Sequence, residues 1–121
     1  MSKTDLIQSY KFALKGIAVG FHKEQNIKIL LVFGSIATFL CIILNVSLIK
    51  TLIVFILSTL VIILELINTA IEKLCDRITS KNDSEIAKIK DICAGIVLIS
   101  ALLDLIVGLI IISEPLIELI L

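Results

Sequence analysis

In the stretch ELINTAIEKLCD, Glu65, Asn68, Glu72 and Asp76 follow one another at steps of 3, 4 and 4 residues. On an α-helix those steps keep all four side chains on one face. Glu65 then lies about 10 Å further along the axis than Glu72, at about 1.5 Å per residue. Two carboxylates and an amide are hard oxygen ligands of the kind Mg2+ accepts. Glu65 stands in an apolar run, and a carboxylate at the centre of a bilayer costs about 3 kcal/mol on insertion scales. A group retained against that cost reads as functional. A plainer reading also exists: Asn68 joins helices, while Glu72 and Asp76 are solvated and paired with Lys73 or Arg77.

The elements that must position this stripe are apolar. The chain has 121 residues, 59% of them hydrophobic, and a mean hydropathy of +1.15. That size bounds it to a single domain, residues 1–121. Three stretches, 29–49, 51–71 and 92–112, reach the roughly 20 apolar residues a membrane helix needs. The first carries no charge, the second only Glu65 and the third only Asp104. Buried helices of a soluble bundle keep a polar face, and these do not. A net charge of zero implies no nucleic-acid partner. Cys41, Cys75 and Cys93 have no C-x-x-C spacing and read as small apolar residues. The first apolar run begins only at Ile29, so no cleavable signal peptide is expected.

Residues 4–26 read as an interfacial helix. Leu6, Ile7, Tyr10, Leu14, Ile17 and Phe21 recur at helical spacing, with Lys11, Lys15 and His22 largely off the stripe. Asn45-Val46-Ser47 breaks the chain before the second span, whose helix is expected to continue to about Ile78. Ser80-Lys81-Asn82-Asp83 reads as a turn, with Asp83 or Ser84 as the next N-cap. Pro115 is expected to end or kink the last helix. Lysines and Arg77 crowd the leader and the second connection, against Lys50 alone in the first link. The positive-inside rule then places the N-terminus in the cytoplasm of a bacterial inner membrane.

Two further clusters fall at the same membrane boundary as the stripe. They are His22 to Lys28, before the first span, and Ala87 to Asp91, before the third. Carboxylates for metal, lysines for phosphate and one buried base make a phosphoryl-transfer inventory. Lys23 and Lys88 also read simply as snorkelling residues. No phosphate-binding glycine loop is present. The residues by themselves therefore leave a non-enzymatic proton or ion pathway equally open.

Several segments together carry a resemblance. They are Ser9-Tyr10-Lys11-Phe12-Ala13-Leu14-Lys15-Gly16, Glu24-x-Asn26, the block from Glu65 through Asn68-Thr69-Ala70-Ile71-Glu72 to Asp76, and Lys90-Asp91. From about Ser9 to Gly108 the sequence resembles the prokaryotic diacylglycerol kinase family. That resemblance implies an all-α membrane protein of three transmembrane helices plus an N-terminal amphipathic interfacial helix, assembled as a homotrimer. It implies transfer of the γ-phosphate of ATP, with Mg2+, to a membrane lipid alcohol. Glu65 matches the general base, and Asn68 a site-positioning amide. Glu24 and Glu72 match the metal-binding glutamates. Lys90 and Asp91 match a nucleotide-contacting pair, and Phe12 an aromatic position at the nucleotide.

The sequence also departs from the family pattern. Ile89 replaces the frequent Ala before Lys-Asp, Phe12 lacks the hydroxyl of the frequent Tyr, and no Arg stands near Asp5. Asp104 stands where relatives are usually apolar, and a helix–helix contact is the role expected of it. The family divides by acceptor. Glu24-Gln25-Asn26 and Lys90-Asp91-Ile92-Cys93-Ala94-Gly95 resemble the undecaprenol branch. Asp76-Arg77-Ile78 resembles the diacylglycerol branch, and the balance leans to undecaprenol.

Overall fold

The computed structural model describes residues 2–79 and 82–121, and all of Lys23 but its side chain. The expected turn residues Ser80 and Lys81 lie outside the described residues. The chain forms four helices: α1 (Lys3–Lys23), α2 (Gln25–Ile43), α3 (Leu48–Ile78) and α4 (Ser84–Ile120). The last three are long and apolar enough to cross a membrane, which makes this a multi-pass membrane protein.

Local chemistry explains each boundary. Ser2 and Asp5 close a reciprocal capping box at the start of α1. α1 stops at Glu24, whose extended backbone (φ −107°, ψ 111°) also opens α2. One residue therefore makes the corner between the two helices. α2 ends at Ile43, ahead of the expected limit at Ile49. Asn45 takes the left-handed conformation (φ 57°), and the amides of Asn45 and Val46 bond back to the carbonyls of Ile42 and Cys41. That is a Schellman stop, and asparagine tolerates it well. Ser47 then caps α3 by accepting from the Lys50 amide. α3 runs unbroken to Ile78, where the sequence places its end. Asp83 Oδ1 caps α4 by accepting from the amides of Glu85 and Ile86. Pro115 does not end α4, which continues to Ile120. A proline costs a helix one N–H bond, and helices in lipid can absorb that loss.

α3 is the axis of the fold, packing along both α2 and α4, whereas α1 meets α2 only lightly. Its buried positions are Val54, Ser58, Val61, Glu65, Asn68, Thr69 and Cys75, most of them three or four apart. α4 is antiparallel to α3 and tied to it along its length, by Lys50–Glu114, Ser58–Asp104 and Asp76–Lys90. No residue of α4 is buried within the single chain. Hydroxyls inside the apolar runs bond their own helix backbone, as Thr38, Thr59 and Thr69 do to the carbonyls four residues earlier. Such bonds satisfy polar groups where water is absent.

At Gly34, α2 packs closely against Ser58 of α3. A Cβ added there would lie 3.0 Å from Ser58 Cβ, an atom that cannot swing aside, whereas one added at Gly16 meets nothing within 4 Å. Gly34→Leu is therefore expected to lower stability by about 1–3 kcal/mol through overpacking. Gly16→Ala is expected to raise it by about 0.5–1 kcal/mol. Unfolding titrations of the purified variants in detergent measure both.

Candidate functional site

Near the α1–α2 corner, a cleft of about 390 Å³ lies between α2, α3 and α4. Glu24 and Asn26 line it from the start of α2, and Glu65, Asn68 and Glu72 from α3. Ala94, Val97 and Ala101 of α4 form its apolar wall. The corner at Glu24 is what brings the first of these carboxylates to the stripe on α3. Without it, Glu24 would continue along α1.

Glu65 and Asn68 are buried, at 5% and 6% exposure, and Glu72 is half-buried. The Glu65 carboxyl shares the cleft with the side-chain amides of Asn26 and Asn68 and with the carboxylates of Glu24 and Glu72. Asn68 Nδ2 donates to Glu72 Oε1 at 3.3 Å, which fixes the amide. Asn68 Oδ1 is left buried without a hydrogen-bond partner. A buried acceptor without a partner costs about 1–3 kcal/mol. Its presence in this cleft marks a place for a donor or a cation.

Among the described residues, no three His, Cys, Asp or Glu side chains group closely enough to hold a metal alone. Mg2+ does not need such a cage. It keeps several waters and binds through one or two carboxylates plus substrate phosphates. Glu24 and Glu72, with the Asn68 acceptor, fit that requirement.

The remaining sequence-predicted residues fall outside the cleft. Asp76 is exposed, and instead of Lys73 or Arg77 it accepts from Lys90 Nζ of α4 at 2.6 Å. That bond pushes the lysine's pKa up. Asp91 is exposed on α4, and Phe12 is exposed on α1. Lys88 pairs with Glu85 one turn away, at the surface. The side chain of Lys23 lies outside the described residues.

Two residues had no assigned role in the sequence. Asn26 lines the same cleft as Glu65 from the start of α2, and only its position near Glu24 hinted at that. Ser58 donates from α3 to Asp104 of α4, at 3.2 Å to Oδ2 and 3.3 Å to Oδ1. It lies seven residues before Glu65, so extending the stripe's spacing by two turns would have found it. Asp104 does make the expected helix–helix contact.

Residues 11–112 match the family described as prokaryotic diacylglycerol kinase. The chain belongs to the prokaryotic diacylglycerol kinase family. A diacylglycerol kinase from Synechocystis sp. is 34% identical over 116 residues, covering 95% of this chain. The chain spans 66% of that relative's length. The family match takes in the whole of the cleft, from Glu24 to Ala101.

Asn68→Asp would exchange the Nδ2 donor for a third carboxylate beside Glu65 and Glu72. It is expected to lower stability by about 1–3 kcal/mol at neutral pH. Asp76→Asn, at the exposed end of the stripe, is expected to leave the unfolding midpoint unchanged. The two midpoints, measured side by side in one detergent, check the contrast.

Proposed function

We propose that this chain is a membrane lipid kinase that transfers the γ-phosphate of ATP to the hydroxyl of a membrane lipid alcohol, undecaprenol or diacylglycerol. One observation carries the reading. A buried glutamate shares a cleft with two further glutamates and a fixed amide, in a chain of this family.

Glu65 is the base. It accepts the proton of the lipid hydroxyl as that oxygen bonds to the γ-phosphorus and the bond to the β-phosphate oxygen breaks, leaving ADP. Glu24 and Glu72 hold Mg2+, which when bound offsets the phosphate charge. Asn68, anchored on Glu72, keeps the base and the metal-binding carboxylate in register. Asn26 braces Glu65 from α2. Lys90 and Asp91 contact the nucleotide from the start of α4, and Phe12 contacts it from α1.

The same reasoning extends to the surroundings of the site. The α1 stripe of Leu6, Ile7, Tyr10, Leu14 and Ile17 is exposed in the single chain and suits a helix lying on the membrane surface. Lysine placement puts that surface, and the N-terminus, on the cytoplasmic side of a bacterial inner membrane. The active unit is a homotrimer. Glu65 is covered by its own chain, but Glu24 and Glu72 are only half-buried in it, and a neighbouring copy supplies the rest of the cover.

Purified protein in mixed micelles should transfer labelled phosphate from ATP to an added lipid alcohol, and EDTA should abolish the transfer. No transfer to either lipid, with proton flux into liposomes instead, would identify Glu65 and Asp104 as an ion pathway. Glu65→Gln should remove turnover while leaving ATP binding near wild type. Glu24→Gln and Glu72→Gln should first raise the Mg2+ concentration needed for half-maximal rate. Two inactive variants, one damaged in α3 and one in α1 or α4, should regain activity when mixed if sites are shared. A fully active, monodisperse monomer would overturn the trimer.

A further inference from the structure

Below the cleft a second, apolar groove of about 360 Å³ continues between α2, α3 and α4. Leu30 and Ala101 line both spaces, so the two adjoin. The groove's walls include Phe33, Val54, Val61 and Leu105, and its polar residues are Ser58 and Asp104. Ser58 precedes Glu65 by two turns on the same helix face, about 10 Å along the axis. An acceptor whose hydroxyl meets Glu65 must lay its chain somewhere at hydrocarbon depth, and this groove is the adjoining apolar surface.

The floor of that groove is unlike the rest of it. Ser58 is buried and has a single O–H to give, which it directs at the Asp104 carboxyl. A carboxyl group has about four lone-pair sites, or an O–H of its own when protonated. Asp104 is only half-buried and lines the groove, so its remaining hydrogen-bonding capacity is turned to the groove's occupant. A carboxyl in hydrocarbon is costly, and a partner from that occupant offsets the cost.

We propose that Asp104, held by Ser58, is a specificity-determining residue that lies against the chain of the acceptor lipid and favours acceptors carrying a second hydrogen-bonding oxygen within about 10 Å of the hydroxyl that is phosphorylated. The inference rests on the lipid-kinase reading above. It assigns Asp104 no part in the transfer itself. A plain hydrocarbon or polyprenyl chain offers nothing to this group, whereas a hydroxyl near the head of the lipid donates to it and an ester oxygen there accepts from its O–H in the protonated form.

The test compares kcat/KM for a diacylglycerol with that for a long-chain saturated alcohol, using purified protein and Mg-ATP in mixed micelles. Asp104→Leu is expected to lower the ratio of the two values about tenfold, the worth of one hydrogen bond. Asp104→Asn, which can still donate and accept, should hold the ratio near wild type. A ratio unchanged in Asp104→Leu, or both acceptors losing the same factor, would show a purely structural contact and overturn the inference alone. A wild type active on undecaprenol but on neither of these acceptors would overturn this inference alone, and one inactive on undecaprenol as well would overturn the kinase reading with it. A second measurement needs no variant. A diacylglycerol bearing a diazirine about 10 Å from its hydroxyl, irradiated with the wild-type protein, should label α4 between Ala101 and Leu105. Label confined to other segments would overturn the placement of the chain.

Discussion

Hydrocarbon offers polar groups no partner, so each one kept within an apolar helix must be matched by the protein or by what the protein binds. This constraint organises the molecule. Thr38, Thr59 and Thr69 meet it within their own helices. Ser58 and Asp104 meet it between α3 and α4. Asn68 meets it only in part, because its amide is bonded to Glu72 while its carbonyl oxygen is buried with no partner. The polar groups therefore grade from fully satisfied at the helix backbones to incompletely satisfied in the cleft, where a ligand is needed.

The arrangement depends on α3 being central. Its inward face carries Val54, Ser58, Val61, Glu65, Asn68 and Glu72 at alternating steps of four and three residues. Such a face keeps contact with two neighbouring helices along most of its length. Its far half is mainly apolar and holds the bundle together. The half toward Ile78 is polar and holds the cleft. Gly34 permits α2 to lie close to Ser58, while Asp76–Lys90 and Lys50–Glu114 join α3 and α4 near their ends. Those two pairs are exposed and of modest worth. They set register more than stability.

Glu24 shows how a site can depend on a corner. Its side chain belongs to the cleft, and its backbone ends one helix and begins another. α1 leaves this corner with its apolar residues uncovered by the rest of the chain. α4, likewise, has no buried residue of its own. Both surfaces suit a protein whose remaining neighbours are lipid and, in the reading proposed above, copies of itself.

The number of long apolar helices, the unbroken run of α3 to Ile78 and the shared face of Glu65, Asn68 and Glu72 were legible in the sequence. They depend on local chemistry: run length, capping residues and a 3.6-residue period. The early stop of α2 at Ile43 was less legible, because it rests on a left-handed asparagine inside an apolar run. The passage of α4 through Pro115 was likewise hidden, since apolar composition cannot say whether a lost backbone bond is tolerated. Which helices would meet was a tertiary matter. The corner at Glu24 brought Asn26 to Glu65, the antiparallel register of α3 and α4 brought Ser58 to Asp104 and Lys90 to Asp76, and Phe12 and Asp91 were left outside the cleft. Residue spacing fixes a face on one helix. Only the packing of helices against one another decides which faces share a cavity.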